Sequence, residues 1–269
     1  MPKGFSERPI GIFDSGVGGL TVMKEIMRQL PEEHILYLGD TARVPYGTRS
    51  PETVLRYSHE NARFLIARDI KILVVACNTS SSIALLSLGE KCPVPVIGVV
   101  DPGARAAVRV SRKKKIAVIG TDTTIKSGSY EKAIKSFEAS AEVTGVSCPL
   151  FVPLIEEGWL EGDVVTLTAR KYLSPVTNNG ADTLVLGCTH YPMIKNVIAD
   201  IVGISLIDSA VETAKEVKRI LSEQDMLCEG GAESFKEFYV TDFPEKFVKI
   251  GERFLDHKIE NISKIELGN

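Results

Sequence analysis

Two cysteines in this chain stand in closely similar settings. Cys77 follows an apolar run in ILVVACNTSS, and Cys188 follows another in TLVLGCTHYP. Small hydroxyl or polar residues come next in each, where a helix is expected to begin. A thiol has an unperturbed pKa of about 8.5, near working pH, so it serves as base or as acid. Two thiols facing one pocket suit a reaction that removes a proton from one face of a carbon and delivers one to the other. A lone buried cysteine is usually a packing residue. Cys92, Cys148 and Cys228, with no polar grouping around them in the sequence, are read that way.

Other groups gather at the same kind of position. In parallel α/β sheets, ligands bind at the carboxyl ends of the strands, where loops and helix N-termini converge. Asp14-Ser15, Cys77-Asn78-Thr79 and Cys188-Thr189-His190 all fall at such ends. Helix N-termini supply free N–H groups for a carboxylate and also stabilise a thiolate. His190 is the one histidine in a motif; His34 begins a strand, while His59 and His257 lie within predicted helices. Glu156 and Glu157, in PLIEEGW, are placed where the chain leaves a strand, at the edge of a cleft. DSGVGG (14–19) is not a dinucleotide fingerprint, since Thr21 holds the place of the third glycine, and it lacks the lysine of a phosphate loop. It reads as a turn that lets a small ligand approach the backbone. Cys77, Cys188, His190 and Asp14 lack the local spacing of a structural zinc site, so no metal is expected.

The elements that must position these groups alternate between short apolar runs and helical patterns, which reads as βαβ units around parallel sheets. Strands are expected at 10–13, 34–40, 72–76 and 94–100, with helices at 20–30 and from a Ser50-Pro51 start to about 68. The pattern then begins again about 110 residues later, a domain-sized interval: IAVIGT echoes IGIFDS, TLVLGCTH echoes ILVVACNT, and ISLIDS echoes PVIGVV. The fold class is therefore α/β, two similar domains, each a mainly parallel sheet flanked by helices, facing across a central cleft in a pseudo-twofold repeat. The tail, with SAVETAKEVKRIL as a helix, FKEFYVTD as a strand and PEKFVKIGERFLD as a last helix, is expected to pack back on the first domain. That gives residues 1–98 plus 209–269 for the first domain and 99–208 for the second.

A net charge of −3 argues against nucleic acid as the main partner, and the basic run 112–115 reads as a solvated turn before a strand. Five widely spaced cysteines without a CxxC pair, and no leader-like apolar core in MPKGFSERPIGIF, point to free thiols in a reducing cytoplasm. No apolar run approaches membrane-spanning length.

Taken together, FDSGVGGL, PYG, ACNTSS, PLIEEG and GCTHYP resemble the motifs of the glutamate racemases, in the cofactor-independent aspartate/glutamate racemase superfamily, in the same order over essentially the whole chain. The resemblance implies interconversion of L- and D-glutamate without a cofactor, by two cysteines on opposite faces of the α-carbon. It further implies a cytoplasmic homodimer that supplies D-glutamate for peptidoglycan. It assigns catalysis to Cys77 assisted by Asp14, for D-glutamate, and to Cys188 assisted by Glu156 and His190, for L-glutamate. Substrate contacts fall to Asp14-Ser15, Tyr46-Gly47, Asn78-Thr79 and Thr189-His190. A sister racemase acting on aspartate is the near alternative, and a two-lobed binding protein without catalysis is another. A redox pair of Cys77 and Cys188 is disfavoured, because a substrate-sized cleft holds the sulfurs too far apart.

Overall fold

The computed structural model describes residues 4–228 and 234–268; Met1 and Asn269, the outer limits expected for the first domain, lie outside the described residues. In chain order, β1 (Ile10–Asp14), α1 (Leu20–Gln29), β2 (Ile35–Gly39), α2 (Pro51–Ile66), β3 (Ile72–Val75), α3 (Asn78–Lys91) and β4 (Val96–Gly98) come first. Next are α4 (Val100–Val110), β5 (Lys115–Gly120), α5 (Asp122–Lys126), α6 (Ser129–Phe137), β6 (Glu142–Ser147), α7 (Phe151–Glu156), α8 (Asp163–Asn178) and β7 (Thr183–Gly187). The chain closes with α9 (Lys195–Val202), β8 (Ser205–Asp208), α10 (Ser209–Glu223), β9 (Lys236–Val240), α11 (Pro244–Leu255) and β10 (Ile262–Lys264).

The strands form two all-parallel sheets, ordered β10-β9-β2-β1-β3-β4 and β6-β5-β7-β8. The inner order of the first, β2-β1-β3-β4, is repeated by the second. The expected repeat is thus present as a repeat of topology, with β1 matching β5 and β3 matching β7. β1, β2, β3 and β7 are buried along their whole length. That is why their sequences are unbroken apolar runs rather than alternating ones. β9 pairs with β2 from Ile35↔Lys236 to Gly39↔Val240, and β10 continues beyond it, so two strands of the tail extend the first sheet. Helix α10 packs against both α1 and α4. One apolar core runs through both halves, from Ile12 and Ile72 to Leu184 and Leu186.

Local chemistry sets the boundaries. Ser50 Oγ accepts from Thr53 N–H at 3.4 Å and Pro51 occupies the first turn of α2, where a missing N–H costs nothing. Thr121 caps α5 and Asp208 caps α10 in the same way. The strand expected over 94–100 stops at Gly98 and turns directly into α4, whose Pro102 falls in the first turn. PLIEEG does not leave a strand. Its Glu156 ends the short helix α7, which Gly158 closes at φ 82°. His257 lies beyond α11 rather than inside it, because Asp256 in the left-handed region terminates that helix. Among the described residues, no helix is long and apolar enough to cross a membrane.

Candidate active site

The two topologically matched strands β3 and β7 each deliver a cysteine at the carboxyl end. Cys77 is the N-cap of α3, so the free amides of that helix open beside its sulfur. Cys188 differs: Thr189-His190 form a turn, residues 191–194 make a tight 3-10 turn, and α9 begins only at Lys195. The expected helix start is thus met at one thiol and deferred at the other. Both cysteines are 5% exposed.

Their partners are unequal. Cys77 Sγ lies 3.8 Å from Ser15 Oγ. Burial pushes its thiol up to about 12, the nearby Asp14 carboxyl adds to the rise, and the amide and hydroxyl of Ser80 oppose it. Asp14, at the end of β1, is itself buried, and burial raises its pKa against the pull of the His190 charge and of the Gly16, Gly19 and Ser15 amides. Its Oδ2 accepts from Gly16 N–H at 2.9 Å, while its buried Oδ1 has no protein partner.

At the second thiol, Cys188 Sγ lies 3.9 Å from His190 Nδ1, and His190 Nε2 lies 3.0 Å from Glu156 Oε1. Burial by itself would lower the imidazole, but Cys188 and Glu156 overcome it and carry His190 up to about 10. Burial likewise tends to raise Glu156, yet the His190 bond and the Lys246 charge bring it below the usual carboxylate value. Phe254, on α11, packs edge-on against the imidazole at 5.3 Å between ring centres. Of the adjacent glutamates, Glu156 meets His190 and Glu157 is exposed.

The remaining candidates close around these groups. The Tyr46 phenol donates to Asp40 and accepts from Asn61 Nδ2 at 3.1 Å, while the Gly47 carbonyl accepts from Thr123 Oγ1 at 2.9 Å. Thr79 Oγ1 lies 3.1 Å from Thr121 Oγ1 and 3.3 Å from Thr124 Oγ1, a hydroxyl cluster that joins the two halves. Asn78 Oδ1 accepts from Tyr130, and its buried Nδ2 has no protein partner. The glycine-rich turn also packs closely against the segment of the second thiol. A Cβ on Gly18 would come within 2.4 Å of Thr189 Oγ1 and 2.5 Å of His190 Nδ1, so the glycine makes room for the Cys188 turn. Thr21 shares its one hydroxyl proton between the carbonyls of Gly18 (2.9 Å) and Thr189 (3.0 Å), fastening that turn in place.

Comparison with known proteins puts this site in context. Residues 10–217 match the family model described as Asp/Glu/Hydantoin racemase. The chain belongs to the Asp/Glu/hydantoin racemase family. It is 53% identical over 97% of both chains to the glutamate racemase of Geobacter metallireducens, and 45% identical to that of Neisseria gonorrhoeae over 97% of this chain and 98% of the other. The crystal structure of Francisella tularensis glutamate racemase in complex with D-glutamate superposes with a TM-score of 0.93 at 40% identity, covering 97% of this chain and 98% of the other.

Several residues packed around these groups escape a reading of the sequence. Thr121 is legible only as the counterpart of Ser15 at the end of IAVIGT, and Thr124 lies three residues beyond that segment. Tyr130 gave no signal at all, because its link to Asn78 crosses between halves. A second grouping also contradicts the expectation that Cys228 lacks polar company. Cys228 Sγ lies 3.5 Å from Glu7 Oε1, and His34 Nε2 lies 3.7 Å from Glu7 Oε2. His34 Nδ1 accepts from Phe235 N–H, so a neutral ring carries its proton on Nε2, the atom that faces Glu7. A metal would need that lone pair, and the cluster reads as hydrogen-bonded rather than metal-binding.

Proposed function

We propose that the chain interconverts L- and D-glutamate without a cofactor, with Cys77 and Cys188 on opposite faces of the substrate α-carbon. The observation that carries this reading is the pair of buried thiols at matched strand ends. The full-length likeness to glutamate racemases, one solved with D-glutamate, supports the substrate.

One cysteine, as thiolate, takes the α-proton; the other, as thiol, delivers its own proton to the opposite face. Their protonation states are then exchanged. Asp14 is the polar partner of Cys77, and Glu156 and His190 are those of Cys188. The His190 imidazolium places a cation beside Cys188 Sγ as that sulfur gives up its proton. Cys77 is assigned to D-glutamate and Cys188 to L-glutamate. Ser15, the backbone of Tyr46-Gly47, Asn78-Thr79 and Thr189-His190 hold the two carboxylates and the amino group. The unpartnered Asn78 Nδ2 and Asp14 Oδ1 supply a donor and an acceptor of opposite preference. Fixed N–H and hydroxyl dipoles stabilise the developing carbanion. The division into 1–98 plus 209–269 and 99–208, a homodimer, a cytoplasmic location and a role in supplying D-glutamate for peptidoglycan complete the proposal.

The test is racemisation by purified protein with no added cofactor, with glutamate and aspartate compared as substrates. Cys77→Ser and Cys188→Ser should each lose inversion. In deuterated water, label should enter the α-carbon of the product enantiomer. Robust inversion by either single variant, or preference for aspartate, rejects the reading.

A further inference from the structure

We propose that Tyr130 is a positioning residue for substrate: its phenol reaches from the second half and holds the Asn78 amide with its NH2 end toward the reaction centre. The proposal rests on the function proposed above and adds a residue to it.

Tyr130 Oη donates to Asn78 Oδ1 at 2.7 Å, and both residues are 3% exposed. An amide has one acceptor end and one donor end. Tying the acceptor to the phenol turns the donor away from Tyr130, and that donor, Nδ2, is the buried atom without a protein partner. Burial raises the phenol far above its ordinary range, so it keeps its proton and remains a donor at any working pH. Asn78 follows Cys77 directly in the chain, as the first residue of the helix that Cys77 caps. The Tyr130 ring lies against the backbone that precedes the other thiol. A Cβ on Gly187 would come within 3.1 Å of its Cε2, and one on Gly103 within 3.5 Å of its Oη. One side chain therefore touches the approach to Cys188 and orients the neighbour of Cys77. The chemical consequence concerns sign. A substrate carboxylate is attracted by the amide NH2 and repelled by its carbonyl oxygen, and rotation of the Asn78 amide exchanges the two.

Tyr130→Phe keeps the ring and removes the hydrogen bond, leaving the amide free to turn. Steady-state kinetics in both directions, with glutamate affinity from calorimetry, should be measured for wild type, Tyr130→Phe, Asn78→Ala and the double variant. Tyr130→Phe should raise KM and Kd for both enantiomers about tenfold, about 1.4 kcal/mol, with kcat within about threefold of wild type. In the Asn78→Ala background the same substitution should add nothing. Unchanged KM and Kd in Tyr130→Phe, or effects that multiply in the double variant, overturn the proposal. Asn78→Asp gives a second reading that leaves Tyr130 intact: replacing the donor by an acceptor should raise KM beyond Asn78→Ala, and the reverse order overturns the proposal. A wild-type protein that binds glutamate without racemising it rejects the catalytic reading alone, while the affinities still decide the role of Tyr130. A wild type that neither racemises nor binds glutamate overturns both.

Discussion

His190 Nε2 lies 3.0 Å from Glu156 Oε1, and this one contact decides which nitrogen of the ring is left to face Cys188. A carboxylate from the end of α7 thus orients a side chain on the turn after β7, 34 residues further along the chain. The relation is electrostatic as well as steric, since Glu156 helps to carry the buried imidazole up to about 10.

Glu156→Gln should lower the His190 pKa and shift the alkaline limb of the pH–rate profile to lower pH. Stability has a defined sign. The folded-state pKa is raised, so the charged pair contributes below the ordinary histidine value and its contribution fades as pH rises through about 10. Chemical denaturation near pH 6 should show a loss of about 2 kcal/mol, the scale of a hydrogen bond to a charged group. The loss should shrink toward zero above pH 10. An equal loss at both pH values would show that the contact is only packing.

Asp14→Asn separates thiol acidity from catalysis at the other cysteine. The Asp14 carboxyl contributes to the rise of the Cys77 thiol, so its removal should lower that pKa and increase the thiolate fraction. Alkylation of Cys77 at pH 8, followed by mass spectrometry, should quicken, while turnover falls by at least about tenfold, the scale of a lost proton-transfer group. Slower alkylation would contradict the proximity argument.

Two glycines predict opposite outcomes for one added methyl group. Gly18→Ala meets Thr189 and His190, and should cost about 1–3 kcal/mol together with activity. Gly89→Ala, in α3 with nothing within 4 Å, should stabilise by about 0.5–1 kcal/mol and leave turnover unaltered. Thermal unfolding with parallel assays checks both.

Lys71 and Glu33 form a buried ion pair at 2.5 Å, and Lys71 Nζ also donates to the carbonyls of Ser6 and Met226. Lys71→Met should cost about 3–5 kcal/mol by stranding the carboxylate, and adding Glu33→Gln should recover part of that. A double variant no more stable than the single one would mean that the backbone contacts matter more than the charge.

The sequence displayed most of the frame. Buried parallel strands read as unbroken apolar runs, and the spacing of IGIF against IAVIGT revealed the repeat that the matching strand orders now express. The thiols, Asp14 and His190 were legible because strand ends and polar residues coincide along the chain. What escaped was whatever depends on one half meeting the other. Gly18, read as part of a turn for a ligand, also makes room for Thr189. Thr21 looked like a broken fingerprint and is a fastener. Tyr46 gave its name to a motif, yet its phenol is bound to Asp40 and Asn61. Glu156 was expected at a strand exit because PLIEEG carries no sign, within its own few residues, that it ends a helix. Pairings of this kind are set by tertiary approach, which local patterning does not encode.

Cys77, Cys188, Asn78, Thr79, Thr189 and His190 are all 5% exposed or less. On the proposed chemistry, glutamate therefore reaches the sulfurs only when the residues that cover them move aside. Breathing then becomes a step of the cycle in its own right, and it sets two clocks at once. The motion that releases product also readmits bulk water, so the thiols can exchange protons with solvent only as often as the molecule opens.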